Sequence, residues 1–205
     1  MDYLTEVIAQ KYDRPSLVRE WQAGRKRPLL LFYGHKSPGD GSIGPQVLSQ
    51  WQRTSFSWRG VSYFCMEQFM MEAKARLFRD PYRQGLILKS KDPQEIKRLG
   101  RQIENFRGEL WDRQKFTIVY FGNYLKFSQN SALGDYLVST SPKVLAEASP
   151  YDAIWGIKLG AQDPRAHDPS QWLGQNLLGW ALMQVRDKLL EERGTDEAPS
   201  LVEVG

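Results

Sequence analysis

One cysteine, Cys65, and two histidines, His35 and His167, are the whole supply of thiol and imidazole metal ligands in 205 residues. A lone cysteine excludes an intrachain disulfide and any multi-cysteine metal site, so neither metal nor cofactor is expected. No apolar run approaches the roughly 18 residues of a membrane span. The opening MDYLTEVIAQKYDR lacks a basic region followed by an apolar stretch, so a cytoplasmic protein without a membrane partner is expected. Walker A, G-x-G-x-x-G, H-E-x-x-H and G-x-S-x-G patterns are all missing, which removes the common nucleotide-binding and hydrolase signatures. Internal repeats and low-complexity segments are missing too.

What the chain does have is aromatic residues: seven Trp, nine Tyr and nine Phe, enough to fill a core or line a pocket for flat rings. Twenty-eight Lys and Arg against 24 Asp and Glu leave +4, a mild excess that suits a phosphate-bearing ligand. The length allows one sizeable core and is short for two domains. Residues 1–28 mix Leu4, Val7, Ile8, Leu17 and Trp21 with charge at helical spacing and read as an appended helical arm. LLLFYGH from Leu29 reads as a buried strand, and KSPGDGSIGP behind it as a mobile loop able to cover a pocket. Arg59-Gly60 marks a tight turn between two short strands, with a helix from Met66 to Phe78 that Asp80-Pro81 ends. Asp92-Pro93 opens a short helix that Gly100 closes, a long helix spans Leu110 to Phe127, and another follows Ser131. Val144 to Ala146 and WGIKLG read as strands, and Leu177 to Leu190 as a helix with one apolar face. The expectation is a helix-rich α+β fold, one compact domain over 29–193 with a small sheet, and a disordered tail over 194–205.

Few residues carry chemistry on sight. Glu67 and Lys74 lie seven apart, about two helical turns, and so point to one side of their helix; the ordinary reading of such a face is a partly solvated surface. EASPYDAIWG packs Glu147, Ser149, Asp152 and Trp155 around a proline turn, where Asp152 is either a functional carboxylate or an Asx-turn acceptor. Arg101, with Lys97, Arg113 and Lys126, is a candidate phosphate contact, as are the backbone amides of the glycine loop after Tyr33. His35 borders that loop, and Cys65 has no histidine near it in sequence to activate it.

Taken in order, FYGH, LSQW, EQFMMEAKARLFRD, DPQEIKRLGRQI, NFRGELWDRQKFTIV, NYLKFSQN, LVSTSPKVLAEASPYDAIWGIKLGAQDP and WLGQNLLGWALMQVR resemble the NADAR (YbiA-like) family from about Leu31 to Leu190. The resemblance implies a NADAR/YbiA-like fold and hydrolysis of N-glycosidic bonds in ribosylated nucleotides. It points to ADP-ribosylated guanine in single-stranded DNA or RNA as substrate, with an ADP-ribosyltransferase toxin as functional counterpart to this antitoxin-like activity. The alternatives are phosphorylated ribosylaminopyrimidine intermediates of riboflavin synthesis, or a non-catalytic sensor that binds ADP-ribose or NAD. Two positions depart from the family's habit: Gln68-Phe69 stands where His or Tyr commonly follows the helix glutamate, and Lys158 where glycine follows WGI.

Cleaving a ribose C1–N bond builds cation character at C1 and negative charge on the departing nitrogen, so a carboxylate and a proton source are needed. Glu67 is expected to move a proton or activate water, and Asp152 to hold the ribose hydroxyls or stabilise the cation. Lys74, if neutral, could instead open the sugar as a Schiff base. Trp111 and Trp155, with Phe32 and Tyr33, are the expected stacking surfaces; Gly34, His35, Arg101, Ser149 and Lys158 complete the expected binding set.

Overall fold

The computed structural model describes residues 7–36 and 39–196. Aspartate followed by proline starts helices repeatedly, because the carboxylate accepts an orphan N–H while proline's fixed φ suits the first turn. Asp92 accepts from Gln94 N at 3.0 Å ahead of α4 (Pro93–Arg101). Asp80 does the same for Arg83 N at 2.9 Å, so Asp80-Pro81 opens α3 (Pro81–Lys89) as well as following the end of α2 (Met66–Leu77). Gly100 lies inside α4 rather than closing it. A Cβ there would collide with Met71 Sδ, so its lack of a side chain lets α4 press onto α2.

The remaining helices are α1 (Arg14–Gln22), α5 (Gly108–Ser128), α6 (Ser131–Ser139) and α7 (Leu177–Asp196). The strands are β1 (Leu29–Phe32), β2 (Phe56–Trp58), β3 (Val61–Tyr63) and β4 (Val144–Glu147). They form two pairs: β1 and β4 run parallel with Leu29 opposite Val144 and Phe32 opposite Glu147, and β2 and β3 form an antiparallel hairpin. Arg59 and Gly60 both take positive φ, as a two-residue hairpin turn requires. The fold is therefore α+β and helix-rich, with two small sheets.

WGIKLG is not a strand. Its backbone folds into turns, with Lys158 at φ 56 and Ile157 N donating to Glu147 O at 2.9 Å. Apolar alternation there serves close packing of loop on loop. α7 also differs from a one-faced helix: Leu178, Trp180, Ala181, Leu182, Met183 and Val185 are all buried, because α5, α6 and β4 pack around it. α2 is the second buried axis, against α3, α4 and α5. Each buried Leu or Phe on these axes contributes about 1.5–3 kcal/mol.

The helix of the amino-terminal arm docks on the domain. Leu17 is buried, Arg14 donates to Pro169 O at 3.0 Å and Ser170 O at 2.7 Å, and Tyr12 Oη donates to Asp187 at 2.6 Å. At the other end α7 continues through Asp196, so the first residues assigned to a tail are helical; 197–205, like 1–6 and Ser37-Pro38 of the glycine loop, lie outside the described residues. Among the described residues no helix is long and apolar enough to cross a membrane.

Candidate active site

Parallel pairing brings the C-terminal ends of β1 and β4 out side by side, and this edge of a parallel sheet is where loops and ligands meet. The loop after β1 carries Tyr33, Gly34 and His35; the loop after β4 carries Ser149, Asp152 and Trp155. Asp152 fixes its own turn, Oδ1 accepting from Ile154 N at 2.8 Å and Trp155 N at 2.7 Å. These bonds use one oxygen, so the turn orients the second.

Glu67, in the first turn of α2, is buried with its amide donating to Gln50 O at 2.9 Å. Trp51 Nε1 donates to Glu67 Oε2 at 3.3 Å. The segment carrying Gln50 and Trp51 is clamped from α5: Lys126 Nζ donates to Val47 O at 2.6 Å and Ser49 O at 3.1 Å, and Asn123 Nδ2 to Gln50 Oε1 at 3.2 Å. A helix thus holds the indole that holds the carboxylate.

Burial pushes the Glu67 carboxyl up to about 7; Lys97, the Trp51 bond and Arg101 pull it down, while Asp152 pushes it further up. Glu147, at the end of β4, goes higher, to about 8, because burial and the charges of Asp152 and Glu67 are opposed by Lys97 alone. Its Oε2 is buried without a hydrogen-bond partner. Lys74 donates to Gly100 O at 2.8 Å and stands 4.6 Å from the Phe106 ring centre and 5.4 Å from that of Trp111. Burial holds its pKa below the ordinary lysine value against the opposing charge of Glu67. Three carboxyls, two flanking cations and a partly desolvated amine can move protons and stabilise a developing cation. Two surface clefts, one of about 180 Å³ at Arg107, Leu110 and Arg113 and one of about 300 Å³ at Gln52, Thr54 and Asn130, lie outside this cluster.

The NADAR domain model matches residues 31–190, a span that contains every member of this cluster. The chain belongs to the NADAR family. The protein named N-glycosidase R617 of Acanthamoeba polyphaga mimivirus is 41% identical over 164 residues, which cover 78% of this chain and 95% of that one. N-glycosidase YbiA of Escherichia coli is 28% identical over 120 residues, 58% of this chain and 68% of its own. The NMR structure of E. coli YbiA shares the fold, with a TM-score of 0.66 at 23% identity over 82% of this chain and 88% of that chain. The chloroplastic riboflavin biosynthesis protein PYRR of Zea mays is 32% identical over 154 residues, 73% of this chain but 22% of that protein.

Within this NADAR domain, Glu67, Lys74, Asp152 and Arg101 come together electrostatically, Trp111 stands beside Lys74, and Trp155 gives its amide to Asp152. His35 joins through Trp51, ring centres 5.6 Å apart. Ser149 is buried in the Asp152 loop. Phe32 does not join as a stacking surface: it is 2% exposed and belongs to the core, since the last residue of β1 points inward. Tyr33 is exposed, and Gly34 takes φ 83. Lys158 is exposed; its positive φ turns the chain while its amide donates to Asp152 O at 3.1 Å. Cys65 is buried and its thiol is pushed up to about 11 by burial, which makes it a poor nucleophile.

Sequence reasoning passed over Trp51, placed Lys97 among candidate phosphate contacts, and noted Glu147 in its turn without giving it a role beside Glu67. Trp51 and Lys97 meet Glu67 only through folding. An acid at the end of a strand, five residues before Asp152 and directly before a proline turn, is the signal that could have found Glu147.

Proposed function

We propose that this NADAR protein is an N-glycosidase that hydrolyses the ribose C1–N bond of ADP-ribosylated guanine in single-stranded nucleic acid, reversing the work of an ADP-ribosyltransferase. The observation that carries the glycosidase reading is the buried Glu67 carboxyl beside Asp152, titrating near neutrality with an indole on one oxygen. At neutral pH such a group accepts a proton from water readily, while Asp152, held by its turn, faces the growing charge at C1. The relatives named N-glycosidase support the same chemistry.

Exposed rings support the nucleic-acid substrate. Tyr33 and Tyr151, 58% and 87% exposed, follow the C-terminal ends of the paired strands β1 and β4, where flanking bases could stack. Arg101 and Lys158 add exposed positive charge. A ribosylaminopyrimidine phosphate is the second reading, favoured by the similarity to the maize riboflavin protein.

The test is sugar release from a guanine-ADP-ribosylated oligonucleotide and from ribosylaminopyrimidine phosphate, by wild type, Glu67→Gln, Asp152→Asn and Lys74→Ala. Release from the oligonucleotide with losses of about 100-fold in Glu67→Gln is expected. Cleavage of the pyrimidine substrate alone moves the protein to the second reading, and binding of ADP-ribose without any turnover makes it a sensor. Borohydride trapping of a sugar adduct on wild type but not Lys74→Ala would assign the lysine a covalent role; no adduct, with turnover intact in Lys74→Ala, removes that role.

A further inference from the structure

Glu147 is held more firmly than a strand-end glutamate needs to be. Its amide donates to Asn176 Oδ1 at 3.0 Å, and its carbonyl accepts from Ile157 N at 2.9 Å. Asn176 is itself strained, at φ 56, and its Nδ2 donates to Leu145 O at 2.9 Å, so one side chain bridges two residues of β4. That scaffolding delivers the carboxyl to the cluster of Glu67, Asp152 and Lys97, where Oε2 is buried and makes no hydrogen bond.

A buried polar atom left unsatisfied lowers stability, and a fold keeps one where another demand maintains it. The two glutamates are treated differently by their surroundings. Glu67 receives the Trp51 N–H and feels both Lys97 and Arg101, which favour its ionised form. Glu147 receives no such donor, faces two carboxylates and feels Lys97 alone, which favours its protonated form. A protonated carboxyl with no acceptor in the protein has its proton available to a bound molecule. Two carboxyls whose surroundings set their protonation apart divide into acid and base.

We propose that Glu147 is the general acid of the site, giving its proton to the departing nitrogen while Glu67 takes one from water. This rests on the glycosidase reading above. As the C1–N bond breaks, its electron pair stays on nitrogen and forms an N–H bond with the Glu147 proton. The water oxygen bonds to C1 and its proton passes to Glu67. The step leaves Glu147 ionised and Glu67 protonated, and exchange with solvent restores both. The substrate class follows: N-ribosides whose leaving nitrogen is a neutral amine or amide that must be protonated to depart.

The experiment is the pH profile of kcat/KM for wild type, Glu147→Gln, Glu147→Asp and Glu67→Gln, with thermal melts and infrared difference spectra of each. Wild type should lose activity on the alkaline side with a midpoint near 8, where Glu147 ionises. Glu147→Gln should lose that limb and about 100-fold or more of the rate without a lower melting temperature. Glu147→Asp should recover part of the rate and the limb, and Glu67→Gln should keep the limb at a lower rate. Between pH 7 and 8, where Glu67 is ionised and Glu147 still protonated, the carbonyl band of a protonated carboxylic acid should be lost in Glu147→Gln and kept in Glu67→Gln. Full rate in Glu147→Gln, or an alkaline limb that survives there, overturns the assignment while leaving the glycosidase reading standing. Wild type that releases no sugar from any N-riboside removes both.

Discussion

Replacing Glu67 with glutamine should stabilise this protein, and by an amount that depends on pH. The carboxyl titrates at 4.5 in its ordinary state and about 7 in the fold, chiefly because it is buried. Between those values the folded chain binds more protons than the unfolded one, so stability falls as pH rises through that window. At about 1.4 kcal/mol per pH unit the full loss is about 3 kcal/mol, absent below 4.5 and complete above 7. Glutamine can still accept the Trp51 N–H and fills nearly the same volume, so it removes the titration and keeps the packing. Urea denaturation at steps from about pH 4 to about pH 8 should show the variant gaining on wild type by about 3 kcal/mol across the range. Removing Glu67 also takes one negative charge away from Glu147, which enlarges the gain in the same direction. If the two stability curves stay parallel within about 0.5 kcal/mol, Glu67 is not desolvated as described, and its role as a base near neutrality fails with it.

Lys126→Met should flatten a slope of opposite sign. Burial lowers this lysine from 10.5 to about 7, so wild type gains up to about 5 kcal/mol as pH rises from 7 to 10.5, and the variant should not. The same change frees the segment that carries Trp51, so kcat/KM should fall several-fold even where melting temperatures agree; an unchanged rate would mean that the clamp has no bearing on Glu67. Gly179→Ala should lower stability by about 1–3 kcal/mol, because a Cβ there meets Leu145 O and the Asn176 amide. Gly85→Ala, in the interior of α3 with open space around it, should raise stability by about 0.5–1 kcal/mol; equal effects at the two glycines in thermal melts would contradict the close contact of α7 with β4.

Local signals were legible where the sequence needed only its neighbours. Asp92-Pro93 opens α4, and Arg59-Gly60 turns the β2–β3 hairpin, because capping and positive φ are set within four residues. The same logic hid α3: Asp80-Pro81 reads as a stop, yet Asp80 caps α3, Oδ1 accepting from Arg83 N, while Oδ2 accepts from Glu104 N in the turn after α4. WGIKLG alternates like a strand, but its hydrogen bonds go to the last residue of β4, to the first turn of α7 and to loops rather than along a strand ladder, which no local pattern reveals. Of the site, the Glu67–Lys74 face and the Asp152 turn were visible as spacing and as turn chemistry. Trp51, Lys97 and Glu147 reach Glu67 only once α2, α4 and β4 are packed, and a two-residue bond such as Trp51 to Glu67 leaves no periodic trace.

Glu67, Glu147 and Lys126 pull stability in opposing directions, and they meet at neutrality. Glu67 and Glu147 each withdraw stability as pH climbs toward 7 and 8, whereas Lys126 restores it only above 7. Their combined contribution is therefore weakest close to the pH at which Glu67 is half ionised and Glu147 still protonated, the state a paired base and acid require. A fold selected for stability alone would place apolar residues of similar volume at these positions. Here the cost is confined to a small region, the first turn of α2, the end of β4 and one residue of α5, and the apolar surface buried along α2 and α7 offsets it. Those two helices carry most of the packing and also anchor the site, α2 by bearing Glu67 and Lys74 and α7 by abutting the strand that ends in Glu147. Rigid burial on those axes keeps the carboxyls dry, and dryness is what raises their pKa values.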